Sequence, residues 1–182
     1  MSVKPRIYIE ANPIIDLVKY EVRVPLLDEN AKHAWHTQQL IRAAQDGLID
    51  LYTCSLSIAE CTHVRDKSKE ELARPFFLGL LASGRGGFKL IQPTMVIMDL
   101  ARNLRWIHNC SFKGVDSVHA AAAVHFNCQE LLTSDQKMLS NSALLQQTHG
   151  IRICPPSATH LLPDDYRKPS LFMDDEDEST GA

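Results

Sequence analysis

Short apolar runs rich in β-branched and aromatic residues alternate along this chain with longer segments of helical spacing, and that alternation restricts the fold more than any other feature. The runs Arg6 to Ile9, Ile49 to Cys54, Phe88 to Ile91, Glu130 to Thr133 and Ile151 to Cys154 read as strands. Between them lie helical patterns. The first is opened by Pro13, whose fixed φ suits a first helical turn. The second, Ala34 to Gln45, carries Leu40, Ile41 and Ala44 on one side and is closed by Gly47. Ser55 to Val64 follows with Ser55 as its N-cap, then Ser68 to Ala82, bent or split at Pro75. Thr94 to Ile107, Val115 to Phe126 and Gln136 to Gln147 complete the set. Strands separated by helices of roughly 10 to 15 residues predict an α/β fold, a three-layer α/β/α sandwich around a central, mostly parallel sheet.

At 182 residues, 45% hydrophobic and 23% charged, the chain has the proportions of one domain with a full core. That domain is expected over 1–156. Proline and polar residues rise after Pro156, so 157–182 is expected to be a surface extension ending in a disordered acidic tail. The longest apolar run, Phe76 to Ala82, is far short of the ~20 residues a membrane span requires, and the N-terminus has no signal-peptide pattern. No membrane partner is expected. The cysteines Cys54, Cys61, Cys110, Cys128 and Cys154 are odd in number and scattered, which predicts buried thiols in a reducing cytoplasm. Formal net charge is −3, but five carboxylates stand between Asp174 and Glu178, and without them the formal charge becomes about +2.

Four carboxylates stand where strand ends and helix starts would gather them: Glu10, Glu60, Asp116 and Asp135. In open α/β sheets ligands collect beyond the carboxyl ends of the strands, where Glu10 and Asp135 fall. Glu60 lies one turn from Leu56 and one turn from Val64 in an apolar row, a costly place for an isolated charge that a cation would relieve. Asp116 opens a helix whose four alanines permit close packing on the sheet. All-oxygen sites suit Mg2+ or Mn2+, which activate water and offset charge on a phosphodiester. Taken singly, Asp116 and Asp135 are better read as helix caps or dipole partners, while a solvated strand end is an alternative for Glu10 and a pair with Arg65 an alternative for Glu60. One site explains all four at once.

The order and context of these segments, from Arg6 to Cys154, resemble the PIN-domain family of metal-dependent ribonucleases, which includes toxins of toxin-antitoxin pairs. The family's D-x-N after a strand is matched by Glu10, Ala11 and Asn12. Its helical Glu is matched by Glu60 with Ser57 upstream, its D-x-x-h-A-A-x-A by Asp116, and its T-x-D by Asp135. The resemblance implies catalysis and metal binding by Glu10, Glu60, Asp116 and Asp135 with water as nucleophile. It also implies an RNA substrate, a possible protein antitoxin and a homodimer. One residue departs: the first acid is normally Asp, and Glu10 is a methylene longer, about 1 Å against the geometry Mg2+ demands. The chain also exceeds a minimal toxin of the family at Tyr20 to Lys32, Arg65 to Gly87 and after Pro155.

Asn12 reads as support for the Glu10 loop. Ser134 reads as a helix cap or a support for metal-bound water. Arg65, Lys67 and Lys137 are candidate contacts to RNA phosphates, with plain surface charge as the simpler reading for each. His119, one turn from Asp116, reads as an ordinary half-buried histidine. The pairs His33/His36 and Cys61/His63 lack the other half of a zinc site, and Ser83 to Gly87 lacks the end of a phosphate loop. Two other functions remain open: a weakly or non-catalytic module of this type that binds RNA or protein, with Glu10 as the sign of drift, and a DNA-directed nuclease in repair or defence.

Overall fold

The computed structural model describes residues 3–84 and 86–168. Its elements run β1 (Arg6–Ile9), α1 (Ala11–Glu21), α2 (Asp28–Gln45), β2 (Asp50–Cys54), α3 (Leu56–Glu60), α4 (Glu70–Phe77), β3 (Phe88–Ile91), α5 (Met95–Trp106), α6 (Val115–His125), β4 (Glu130–Leu132), α7 (Gln136–Leu139), α8 (Ser142–His149) and β5 (Arg152–Cys154). All five strands pair in parallel in the order β3-β2-β1-β4-β5.

Alternation along β1 divides the core. Ile7 and Ile9 point into a layer with Ile14, Val18, Leu40 and Phe77 from α1, α2 and α4. Tyr8 points the other way, into a layer with Ile97, Leu104, Met138 and Ala120 to Ala123 from α5, α6 and α7. A strand buried on both faces needs apolar residues at every position, which is why Ile7, Tyr8 and Ile9 are all fully buried. The expected three-layer α/β/α sandwich is present, and its sheet is wholly parallel. The chain winds from β1 through β2 to β3 on one side, then returns to lay β4 and β5 on the other. Its direction therefore reverses between β1 and β4, where crevices open in such sheets.

Several boundaries differ from the sequence reading. α2 begins at Asp28 rather than Ala34, its first turn carrying Asp28 and Glu29 toward the positive end of the helix dipole. α3 stops at Glu60 rather than Val64. A tight turn at Cys61 (φ −81°, ψ 63°) sends Thr62 N–H back to the Glu60 carbonyl, and the Ser55 side chain makes no capping bond. The helix expected from Ser68 to Ala82 forms three pieces: a 3-10 turn at Lys67–Lys69, α4 containing Pro75, and a π turn at Leu78–Ala82 closed by Ser83 N–H to the Leu78 carbonyl. The helix expected from Gln136 to Gln147 breaks at Asn141, which is buried. Its Oδ1 accepts from Ser111 N–H at 2.7 Å and its amide donates to the Lys137 carbonyl.

Beyond β5 the described part of the expected surface extension is docked on the body. Buried Glu130 accepts from the Arg152 guanidinium at 3.0 Å and from the Thr159 hydroxyl. Leu162 is buried against the α1 and α2 layer. The acidic run from Asp174 lies outside the described residues.

Candidate metal centre

Parallel pairing sets the register that builds the site. Ile9 stands opposite Leu132, and the Glu10 N–H donates to the Leu132 carbonyl at 3.0 Å. The residues just past β1 and β4 are thereby held side by side at the reversal of the sheet. Glu10 is the N-cap of α1, its Oε2 accepting from Asn12 N–H at 3.0 Å. The same oxygen accepts from the Thr133 hydroxyl at 3.1 Å, and Thr133 Oγ1 in turn accepts from Asp135 N–H. The Glu10 side chain thus doubles back onto its own helix end.

Burial dominates Glu10. Only 4% of the residue is exposed, and desolvation pushes its carboxyl up to about 7 from 4.5. His119 and the donors Asn12 and Thr133 oppose that rise, and the charge of Glu60 adds to it.

Glu60, at the C-terminal end of α3, faces His119 rather than Arg65. Its Oε2 lies 2.8 Å from His119 Nε2, while Arg65 sits exposed in the following loop at φ 62°. Val64 lies beyond the turn, so the expected apolar row of Glu60 and Val64 on one helix does not exist.

His119 corrects the reading of a half-buried residue. It is fully buried, and its Nδ1 lies 2.6 Å from the Tyr8 hydroxyl. Burial holds the Tyr8 phenol well above its ordinary range, so it keeps its proton. His119 Nε2 faces Glu60 while Nδ1 shares the second hydrogen bond with the Tyr8 hydroxyl, so both ring nitrogens are engaged. The chain Tyr8, His119, Glu60 carries a hydrogen-bond path from the sheet to the site. Its only sequence signal was the spacing of His119 one turn after Asp116, on the same face of α6.

Among the described residues, the group whose ligand atoms fall within 4.8 Å of one another is Glu10, Glu60 and His119. Asp116 and Asp135 lie outside it. Asp116, half-buried in the first turn of α6, has its carboxyl raised by burial first and then by the charges of Asp135 and Glu60, against His119 and Lys137. Successive acids therefore feel one another from Glu10 to Glu60, Glu60 to Asp116 and Asp116 to Asp135. Asp135 is also the N-cap of α7, its Oδ1 accepting from Lys137 N–H at 2.6 Å and Met138 N–H at 3.3 Å. That cap belongs to Asp135, so Ser134 does not hold it. Thr133, overlooked in the sequence, supports the Glu10 loop through its hydroxyl.

The donor set fits a hard divalent cation. A buried carboxyl that ionises only near neutral pH, beside a second carboxylate, incurs a desolvation cost that a cation offsets. Cys61 is no competing ligand, because burial and the charges of Glu60 and Glu10 push its thiol up and keep it protonated. Lys137 is exposed on α7 and lines a cleft of about 300 Å3 with Lys113 and Asp116. Lys67 is exposed in the 3-10 turn before α4.

A family model described as PIN domain matches residues 7–143. Searches of curated proteins and of solved structures found no match.

Proposed function

Because the chain belongs to the PIN-domain family, whose members are generally metal-dependent nucleases, we propose that it is an endoribonuclease whose divalent cation is held chiefly by Glu10 and Glu60, with Asp116 and Asp135 completing the site. The convergence of Glu10, Glu60 and His119 at the sheet reversal carries this reading. Mg2+ or Mn2+ bound there supplies an activated water and charge neutralisation at a phosphodiester.

The protein's own groups do the rest. Thr133 and the Asn12 N–H fix one Glu10 oxygen, leaving the other for the cation. His119 acts as a positioning residue that fixes the Glu60 carboxylate. Lys137, beside Asp116, is suited to a substrate phosphate. Arg65 and Lys67, exposed in the loop and 3-10 turn that follow α3, are proposed as further phosphate contacts. Asn12 remains the support of the Glu10 loop, and Ser134 the support of a metal-bound water.

RNA rather than DNA, a toxin's role under a protein antitoxin and a cytoplasmic setting belong to the same proposal. The five buried, unpaired cysteines favour a reducing compartment, and no described helix is long and apolar enough to cross a membrane. A homodimer is proposed through the exposed apolar side chains Leu72, Phe76 and Leu78 on α4 and the π turn after it. One observation favours a second reading, a weakly catalytic binding module: Oδ1 of Asp135 is committed to its own helix end, which leaves a cation only Oδ2.

The test is RNA cleavage with Mg2+, Mn2+ or EDTA by the native chain and by Asp116→Asn. Metal-dependent cleavage lost in the variant is the expected result. No cleavage with either metal, or equal cleavage by the variant, defeats the enzyme reading.

A further inference from the structure

Beside the acidic site, a second cleft of about 570 Å3 opens between the C-terminal turn of α5 and the start of α6. Phe112 and Lys113 line both this cleft and the one holding Asp116 and Lys137, so the two are immediate neighbours. Its walls combine Arg102, Arg105 and Lys113 with Trp106. The indole is 70% exposed, a costly position for the largest apolar side chain. Arg102 stacks on it, 4.9 Å from guanidinium carbon to ring centre, and is itself paired with Asp99. Arg105 and Lys113 are exposed and join no ion pair among the described residues.

We propose that this cleft holds single-stranded RNA beyond the cleaved bond, one unpaired base stacking on Trp106 and the adjoining phosphates meeting Arg105 and Lys113. The inference rests on the nuclease reading and adds a substrate-binding subsite to it. A flat aromatic face beside cations is how proteins grip single strands without reading sequence. A base inside a duplex is stacked on both sides and has no face to give Trp106. The Trp106 subsite should therefore take unpaired rather than duplex RNA.

Binding is measured in EDTA, where cleavage is silent, by anisotropy of a labelled single-stranded oligoribonucleotide of about a dozen nucleotides. Trp106→Ala is expected to weaken binding about fivefold or more, and Trp106→Phe by less. Arg105→Ala and Lys113→Ala should each reduce the slope of log K against log salt by roughly 0.7. In Trp35→Phe the remaining indole is Trp106, and its fluorescence should be quenched by the oligonucleotide. Duplex RNA should not distinguish Trp106→Ala from the native chain. Trp106 is exposed, so its variants are expected to fold, as circular dichroism would verify. Unchanged single-strand affinity in Trp106→Ala overturns this inference even if the native chain cleaves RNA, and leaves the α5 face to a protein partner. A native chain that neither binds nor cleaves RNA overturns both readings.

Discussion

Glu10 carries a stability cost that can be measured. Its folded carboxyl ionises near 7 against 4.5 for an ordinary glutamate, so between those values the folded protein holds a proton that the unfolded chain has released. Metal-free stability from this group is greatest below about 4.5 and falls as pH rises to 7, by on the order of 3 kcal/mol. Thermal melts in EDTA should show this decline, and Glu10→Gln should flatten it. Added Mn2+ should raise the melting temperature more at pH 8 than at pH 5.5, because the ion must displace the Glu10 proton at the lower pH. Equal gains at both values would separate Glu10 from the metal. His119 makes a different prediction. Losing a group that orients a metal ligand typically costs roughly 10- to 100-fold in activity or metal affinity. His119→Ala should show that loss in kcat and in Mn2+ titration, and His119→Gln, which keeps a donor for Glu60, should recover part of it. A variant that melts earlier but binds Mn2+ and turns over normally would make His119 purely structural.

Elements decide which acids are free to act. Asp135 has two claims on its carboxylate, the α7 cap and the metal, and one substitution separates them. Asp135→Asn preserves a capping oxygen, so its melting temperature should stay near the native value while cleavage falls; Asp135→Ala should lose about 1 kcal/mol as well. Native cleavage by Asp135→Asn would leave capping as its whole role. α6 can bring Asp116 and His119 to the sheet because Ala120 to Ala123, all fully buried, let it pack closely against both the strands and α5. Ala121→Leu should cost about 1 to 3 kcal/mol in urea unfolding and displace the site. The turn after the π segment is equally tight. A Cβ on Gly86 would stand 2.1 Å from the Leu80 carbonyl oxygen, so no side chain fits unless the backbone moves.

Across the whole molecule, charge and topology act together. Truncation after Lys168 removes the five carboxylates from Asp174 to Glu178 and takes the formal net charge from −3 to about +2. RNA association should then speed up at low salt and converge with the full chain's at high salt, as stopped-flow binding would show. An unchanged rate would mean that the tail's field does not reach the binding face. Glu130 holds the end of the fold in the opposite sense, with both carboxylate oxygens bonded inside. Glu130→Ala leaves the Thr159 hydroxyl and the His160 N–H without their acceptor and should cost about 1 to 3 kcal/mol on urea unfolding.

Local patterns determined much of this protein. Ile7, Tyr8 and Ile9 declare a strand buried on both faces, Pro13 a helix start and Ala120 to Ala123 a helix that packs closely, because period and residue size act within a few residues of one another. The order of the acids was legible for the same reason. Breaks at Cys61 and Asn141 were not, since apolar spacing continues through both and only contacts made elsewhere, such as Asn141 with Ser111, stop the helix. Nor could the sequence say which groups touch. His119 lies 59 residues from Glu60 and 111 from Tyr8, and joins them only when α6 packs across the sheet. The sheet's reversal between β1 and β4 sets Glu10 beside Thr133, and burial there, a property of no single residue, gives its carboxyl an ionisation near neutral pH.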